Sequence, residues 1–252
     1  MSRRFKIVLF MLWVLAMAGA GYVLLNSPFF SVTEVQVLGC LRTSPDEIVA
    51  ASGILEGANI FSVPLGEAAE RIAAIPWVQS VTCMRRFPAT VGIQVIERKP
   101  AAVTPHHNSF MVLDPEGWVV EVRDRPGGLP LVTVEPVPEM HVGEQVDSEA
   151  LRWAIACAQA FGPRSNELAE VHADEKSHLT VYMTGGLRAM LGQADSTLER
   201  KVGLLLGIIN DIRGNGVDAE YVDLRYEKPV VKTRSGAQSS KAAGGVNPDA
   251  QE

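Results

Sequence analysis

Residues 7–25 read IVLFMLWVLAMAGAGYVLL, a run of 19 residues with no charge and no proline. A helix rises about 1.5 Å per residue, so a helix of this length spans roughly 30 Å, the hydrocarbon thickness of a bilayer. Inside lipid every backbone amide must be paired within the segment, and a helix satisfies this for a lone span. The run, which begins at Ile7 and ends at Leu25, therefore predicts a single transmembrane helix.

Basic residues flank this run on one side. Arg3, Arg4 and Lys6 precede it, and the next basic residue is Arg42. Positively charged flanks stay in the cytoplasm. The sequence therefore predicts a cytoplasmic N-terminus at residues 1–6 and places residues 26–252 on the other side of the membrane.

A cleaved secretory signal is the alternative interpretation of the same run. The strings AMA at 16–18 and AGA at 18–20 both fit a small-residue cleavage site. The apolar run continues past both of them, whereas the apolar core of a signal is usually about 7–15 residues. Either interpretation puts most of the chain outside the cytoplasm.

Composition argues against several functional classes. The net charge is −6, and no patch of lysine and arginine interleaved with aromatics is present, so we expect no nucleic-acid partner. The three cysteines, Cys40, Cys83 and Cys157, lack the spacing of a metal site. An odd number leaves at least one thiol unpaired. Their apolar surroundings favour buried free thiols. The sequence leaves open whether two of the three form a disulfide.

Residues 30–100 begin with a predicted strand and a helix. Apolar and polar residues alternate at 33–38, which is typical of a half-buried strand, and Gly39 ends it. The string SPDE at 44–47 is a helix start, in which Ser44 caps, a proline fills the first helical position and Glu47 completes a capping box.

A second helix and two strands complete this domain. Apolar residues at 65, 68, 69 and 72 have helical spacing, and Pro76 ends the helix. Alternation at 81–87 and again at 91–95 predicts two strands. We expect a three-stranded sheet covered on one face by two helices.

Three short sequence strings occur in or at the end of this domain: PWV at 76–78, RRFP at 85–88 and ERKPA at 97–101. With the order of the elements, they resemble the POTRA domain of the FtsQ/DivIB family of bacterial cell-division proteins. Taken singly, the same residues are typical of a scaffold: Trp77 is a core anchor, and residues 97–99 form a solvated strand end. We interpret the strings as a signature of family rather than of chemistry.

Residues 101–234 predict a β-rich domain with a few helices. A hairpin surrounds the turn DPEG at 114–117, and a second hairpin surrounds Gly185 and Gly186. Helical spacing predicts helices at 148–161 and from Leu198 to about residue 213. The whole chain is therefore of the α+β class, with one transmembrane helix, a POTRA domain and a β domain. Residues 235–252 lack apolar periodicity and predict a disordered tail.

The string YVDLRY at 221–226, before a predicted short strand at 230–234, resembles the end of the second domain in the same family. This resemblance extends over residues 5–234. It implies that the edge of the sheet binds the partner FtsB by strand addition, with Arg225 meeting an acidic side chain and Tyr226 packing at the contact. Asp223 and Arg225 are predicted to share one face of a strand, with Tyr226 on the other. The predicted partner-binding residues are Tyr221, Asp223, Arg225, Tyr226, Val230, Val231 and Lys232.

Two questions about this edge stay open in the sequence. An alternative interpretation is purely structural: Tyr226 is a core residue and Arg225 a surface residue of a stable sheet. Pro229 lacks an N–H, so it shortens the available pairing if it lies on the exposed side of the edge.

Residues that could carry chemistry are scarce. His172, Asp174 and His178 fall in a polar stretch that fits a solvated turn better than a metal site, and His106 lies in a loop-like PHHNS segment. The serines lack a nucleophile elbow, and no glycine-rich phosphate loop is present. We predict no enzyme, no metal, no cofactor and no small-molecule substrate.

The resemblance implies a scaffold of the divisome in the inner membrane at the division septum. Such a protein links early and late division proteins and binds FtsB and FtsL. The alternative function is a POTRA-containing module of envelope biogenesis or secretion.

Overall fold

The computed structural model describes residues 3–226 and 228–234. The chain divides into two compact units, Met1–Lys99 and Pro100–Glu252. The predicted tail at 235–252 lies outside the described residues.

The first helix, α1, covers Arg3–Leu25 and includes the apolar run. Its segment Lys6–Leu25, 20 residues with a mean hydropathy of 2.3, is long and apolar enough to cross a membrane, and its side chains are not buried in the protein. Such a fully exposed apolar surface is unfavourable in water and favourable in lipid.

The remainder of the first unit has the predicted order of strand, helix, helix, strand and strand. The middle strand of its sheet is the last in sequence, because β3 lies between β1, to which it is parallel, and β2, to which it is antiparallel. The elements are β1 (Glu34–Leu38), α2 (Pro45–Ser52), α3 (Leu65–Ala73), β2 (Val78–Arg86) and β3 (Thr90–Glu97).

Local sequence explains where these elements begin and end. Ser44 caps α2 as predicted, and its hydroxyl accepts the backbone N–H of Asp46 at 3.2 Å. The helix ends at Gly53, which has the left-handed φ of 65°. Gly39 ends β1 with a φ of 93°, and a Cβ there would lie 2.0 Å from the carbonyl oxygen of Val95. Only glycine fits this approach of the two strands.

The end of β3 is not the solvated strand end that the sequence suggested. The Glu97 carboxylate accepts the backbone N–H groups of Arg42 and Thr43 at 3.0 and 2.9 Å, and Arg98 is 8% exposed. Burial alone would raise the pKa of Glu97, but hydrogen bonds from Thr43 and the neighbouring backbone hold it below its ordinary value. Glu97 therefore secures the loop that follows β1, whereas Lys99 is exposed as the sequence suggested.

In its described residues the second unit contains two sheets, two α-helices and a short 3-10 helix at Gly162–Glu167. A three-stranded sheet has the order β4-β5-β6, and a six-stranded sheet has the order β12-β11-β10-β9-β8-β7. The strands are β4 (Ala102–His106), β5 (Ser109–Leu113), β6 (Val119–Arg123), β7 (Val132–Val134), β8 (Leu168–Ala173), β9 (His178–Met183), β10 (Arg188–Gln193), β11 (Ala219–Asp223) and β12 (Val230–Thr233), and the helices are α4 (Glu149–Ala160) and α5 (Leu198–Gly214).

Both predicted hairpins and both predicted helices of this unit are present, as β5–β6, β9–β10, α4 and α5. Three strands escaped the sequence analysis: β4, β7 and β8. The PHHNS segment is not simply a loop, because His106 closes β4, and the turn follows at His107, whose φ is 52°.

The core of the second unit lies between its helices and one face of the six-stranded sheet. Leu151, Ile155 and Phe161 are buried with strand residues such as Val181 and Val222. Fully burying each such side chain is worth about 1.5–3 kcal/mol.

All three cysteines are free thiols. Cys157 lies in this core, where burial raises its pKa to about 12. Burial also raises the pKa of Cys40 and of Cys83, both of which are half-buried.

Candidate functional site

Strand β12 forms one edge of the six-stranded sheet. It is antiparallel to β11, with Val230 opposite Asp223, Val231 opposite Val222 and Lys232 opposite Tyr221. Within residues 3–226 and 228–234 no strand pairs with its outer side. An edge of this kind can accept a strand from another chain through backbone hydrogen bonds.

The direction of the backbone groups follows from the neighbouring strand. The N–H of Leu224 donates to the carbonyl oxygen of Met190 at 2.8 Å, so Leu224 and Val222 direct their backbone groups toward β10. The backbone N–H and C=O of Asp223 are then directed toward β12. Those of Val230, which is opposite Asp223, are directed toward β11. The next residue of β12, Val231, therefore directs its N–H and C=O away from the sheet.

Apolar side chains are exposed beside this edge. Val230 and Val231 are both exposed, and Tyr226 is 67% exposed. The side chain of Val231 continues a row that runs through Ala189 and Val222, both fully buried. The core-facing side of the sheet thus ends in an unburied valine.

Arg225 is held by Asp223 immediately after β11. Its Nε donates to Oδ1 at 2.9 Å and its Nη2 to Oδ2 at 2.7 Å, while the backbone N–H of Arg225 also donates to Oδ1 at 3.0 Å. These hydrogen bonds, first that from the guanidinium, hold the pKa of the buried Asp223 below its ordinary value. The guanidinium itself remains about half exposed.

A glycine in the neighbouring strand makes room for Arg225. Gly192 lies at a bulge in β10 and has a φ of 77°, and a Cβ there would lie 3.0 Å from the Cγ of Arg225. Gly192 carries no signal of this role in the sequence, because its contact with Arg225 joins residues far apart in the chain.

Tyr221 lies between two cations on the opposite face from Val222. The guanidinium carbon of Arg188 is 5.8 Å from its ring centroid, and the Nζ of Lys232 is 5.5 Å away. Lys232 also pairs with Glu220 at 3.0 Å. Cations over a tyrosine ring are attracted to its negative face.

The structure brings the predicted residues together with one correction. Tyr221 and Asp223 are in β11, and Val230, Val231 and Lys232 are in β12. Arg225 and Tyr226 follow β11 rather than occupying opposite faces of it, and the Arg225 guanidinium lies 5.8 Å from the Tyr226 ring. Pro229 directly precedes β12.

The histidines near residue 174 do not converge. His178 contacts Asp174 through Nδ1 and Oδ2 at 2.9 Å, whereas Nδ1 of His172 lies 2.9 Å from the hydroxyl of Thr133. His172 belongs to β8 rather than to a turn. Among the described residues no group of three or more histidine, cysteine or acidic side chains could hold a metal ion.

Comparison with known proteins gives two matches along the chain. Residues 30–98 match the FtsQ-type POTRA domain, and residues 102–225 match the C-terminal domain of the cell division protein FtsQ/DivIB.

Relatives extend over most of the chain. The cell division protein FtsQ of Corynebacterium glutamicum is 29% identical over 195 residues, which cover 76% of this chain and 84% of the relative. The FtsQ proteins of Myxococcus fulvus and Geotalea daltonii are 29% and 25% identical, covering 79% and 86% of this chain and 71% and 82% of those proteins. The chain belongs to the FtsQ/DivIB family of cell-division proteins.

Proposed function

We propose that this protein is a membrane-anchored scaffold of the divisome, which binds FtsB, in complex with FtsL, along the edge strand β12. Helix α1 crosses the inner membrane once, with residues 1–6 in the cytoplasm and both folded units outside it, at the division septum. The protein acts by linking early and late division proteins, without catalysis. The observation that supports the proposal most is an edge strand with exposed valines next to Arg225 and Tyr226.

The chemistry of the edge defines the strand that it would accept. The backbone of Val231 offers an outward N–H and C=O, so an added strand gains main-chain hydrogen bonds. The side chain of Val231 continues a buried row, so the added strand should carry an apolar residue on that face. Burial of that pair contributes apolar area that is absent without the partner.

Arg225 and Tyr226 supply specificity beside this strand. A guanidinium held in a fixed position by Asp223 loses little freedom on meeting an acidic side chain of the partner. Tyr226 is an exposed ring of the type enriched at interface centres.

Co-purification of the full chain with FtsB and FtsL tests whether the side chains of Arg225 and Tyr226 contribute to binding. Tyr226→Ala removes an exposed ring, and Arg225→Glu reverses the charge. Both changes should lower the recovered FtsB at least tenfold, which corresponds to about 1.4 kcal/mol. The matched control is Arg152→Glu, an exposed cation on α4, which packs against β7 and β8 at the other end of the sheet. Equal recovery with all three variants would contradict the proposed interface.

A second pair of variants tests the backbone. Val231→Pro removes the outward N–H, while Val231→Thr keeps it and keeps a branched side chain of similar size. Strand addition predicts loss of FtsB with the proline and a much smaller reduction with the threonine, which keeps the N–H and loses only part of the apolar contact. A midcell ring of a fluorescent fusion, in place of uniform envelope staining, tests the septal location.

A further inference from the structure

Four phenylalanines form a chain of ring contacts in the first unit. The ring centroids of Phe29 and Phe30 are 5.1 Å apart, those of Phe30 and Phe61 are 5.1 Å apart, and those of Phe61 and Phe87 are 5.3 Å apart. Three of these rings are exposed: Phe29 by 64%, Phe61 by 44% and Phe87 by 60%. We call these three exposed rings the phenylalanine patch.

The patch lies where α1 joins the folded part of the unit. The Asn59 side chain donates to the carbonyl oxygen of Leu25, the last residue of α1, at 2.7 Å. The N–H of Ile60 donates to the oxygen of Phe30 at 2.8 Å, and the N–H of Val32 donates to Ala58 at 2.8 Å. The segment that leaves α1 is therefore paired with the loop that carries Phe61.

Arg85 fixes the same loop from the sheet. Its Nε donates to the oxygen of Ile60 at 2.7 Å and its Nη2 to that of Val63 at 2.7 Å, with a longer contact of 3.4 Å to Phe61. An arginine that satisfies several carbonyl groups holds the loop in one conformation. Phe61 is thus presented outward on a fixed backbone.

Phe87 reaches the patch because of the strand register. It lies in the turn between β2 and β3, and the first residue of β3, Thr90, is opposite Glu34, the first residue of β1. The turn is therefore at the end of the sheet nearest α1. Leu41 follows β1 at the opposite end and is almost fully exposed.

The segments that carry the rings contain no acidic residue. Residues 25–33, 57–63 and 84–90 include only two charged side chains, Arg85 and Arg86, and the exposed carboxylates of Glu34 and Glu56 directly flank two of these segments. Contiguous exposed apolar groups mark an interaction site. Aromatic rings beside basic residues, next to the end of an apolar span, suit the boundary between headgroups and acyl chains.

We propose that the phenylalanine patch inserts into the headgroup boundary of the bilayer that α1 crosses, so that the POTRA domain is docked on the lipid surface instead of standing free of it. This proposal rests on the membrane span included in the proposed function. The bilayer is the occupant that the position favours, since Phe29 follows the end of α1 by four residues. The guanidinium of Arg86, next to Phe87 in sequence, donates from Nη1 to Oε1 of Gln36 at 3.0 Å, so the rings rather than this cation make the contact that we propose.

Photolabelling of the full chain in nanodiscs tests the proposal. The nanodiscs contain phosphatidylethanolamine and phosphatidylglycerol, with a phospholipid that carries a diazirine close to the glycerol. Mass spectrometry then measures lipid adducts on each peptide. Peptides with Phe61 and Phe87 should carry at least tenfold more label than the peptide with Leu41, which is an exposed apolar residue of the same unit.

The outcomes separate this proposal from the membrane span. Label on α1 alone would overturn the docking and leave the span intact, whereas absence of label on α1 would overturn both. Equal label on the Leu41 peptide would also overturn the docking, because it indicates unspecific contact. The variant with Phe61→Ser and Phe87→Ser should lose most label from the neighbouring peptides but keep it on α1, and Leu41→Ser should leave both unchanged.

Discussion

The Arg225 guanidinium donates to both carboxylate oxygens of Asp223, two residues earlier in the chain. Asp223 is buried at the end of β11, so its carboxylate anchors a side chain that is itself half exposed. The orientation of the Arg225 side chain is consequently fixed by a residue of the sheet, Asp223. A positioned cation at an interface favours one partner geometry over others.

Protonation of Asp223 should weaken this anchor. Its folded-state pKa lies below the ordinary value because Arg225 bonds its ionised form. The stabilisation is therefore present above the unfolded-state pKa, about 3.9, and is lost as the pH falls through the lower folded-state pKa. We expect the difference in unfolding free energy between the natural protein and Asp223→Asn to be constant from pH 7 to about pH 5 and to shrink below about pH 4. Urea denaturation at several pH values measures this, and a difference that persists at the lowest pH would contradict it.

Substitution of Gly192 should disturb Arg225 and the fold together. Gly192→Ala places a Cβ at a φ of 77° and within 3.0 Å of the Cγ of Arg225. The backbone conformation alone costs about 1–2 kcal/mol for a residue other than glycine. Thermal unfolding should detect this loss, and FtsB recovery should fall as Arg225 is displaced. In the control Gly185→Ala the new Cβ meets no atom within 4 Å, so we expect a change of at most about 0.5 kcal/mol. Equal stability of the two variants would refute the steric argument.

Glu167 connects two parts of the second unit through arginines. It accepts Nε of Arg164 at 2.7 Å and Nη2 of Arg213, in the last turn of α5, at 2.6 Å. The hydrogen bond from Arg164 and then that from Arg213 lower the pKa of Glu167 to about 2. Glu167→Gln should lose about 1–2 kcal/mol of stability at pH 7, after a discount for solvent screening.

The pH dependence of this loss follows from the lowered pKa. The stability difference between Glu167→Gln and the natural protein should have its full size above about pH 4.5. It should shrink as the pH approaches 2, because Glu167 then becomes protonated in the natural protein. Denaturation curves against pH test it, with Glu139→Gln, an exposed loop carboxylate, as the control. A loss that does not depend on pH would point to packing instead of charge.

Local signals in the sequence were sufficient for many elements. Ser44 was readable as a helix start because capping depends on a few neighbouring residues, and its hydroxyl accepts a backbone N–H as expected. Helix α4 was readable from its apolar spacing alone, and the structure adds a cap by Ser148, whose hydroxyl accepts the N–H of Leu151. The β9–β10 hairpin was readable from its two glycines, although only Gly186 has a positive φ. The edge position of β12 agrees with the expected terminal strand.

The elements that were missed depend on distant partners. Strand β7 has only three residues and pairs in parallel with β8, more than thirty residues later. The alternation in β8 is interrupted by a register shift between Leu168 and Glu170, so its apolar residues do not follow a period of two. Strand β4 contains Pro105 and ends at a histidine, which weakens the strand signal.

The strands of the large sheet are arranged in their order along the chain, from β7 at one edge to β12 at the other. Strand β12 can therefore pair only after β11 has joined the sheet. Strand β11 in turn can pair with β10 only after α5, which connects the two strands, has been synthesised. During synthesis the edge at which we propose FtsB binds is the last strand of this sheet to form. We expect a chain that stalls or is clipped before residue 230 to reach the membrane without recruiting FtsB, so that assembly of the divisome would include a check on completed translation.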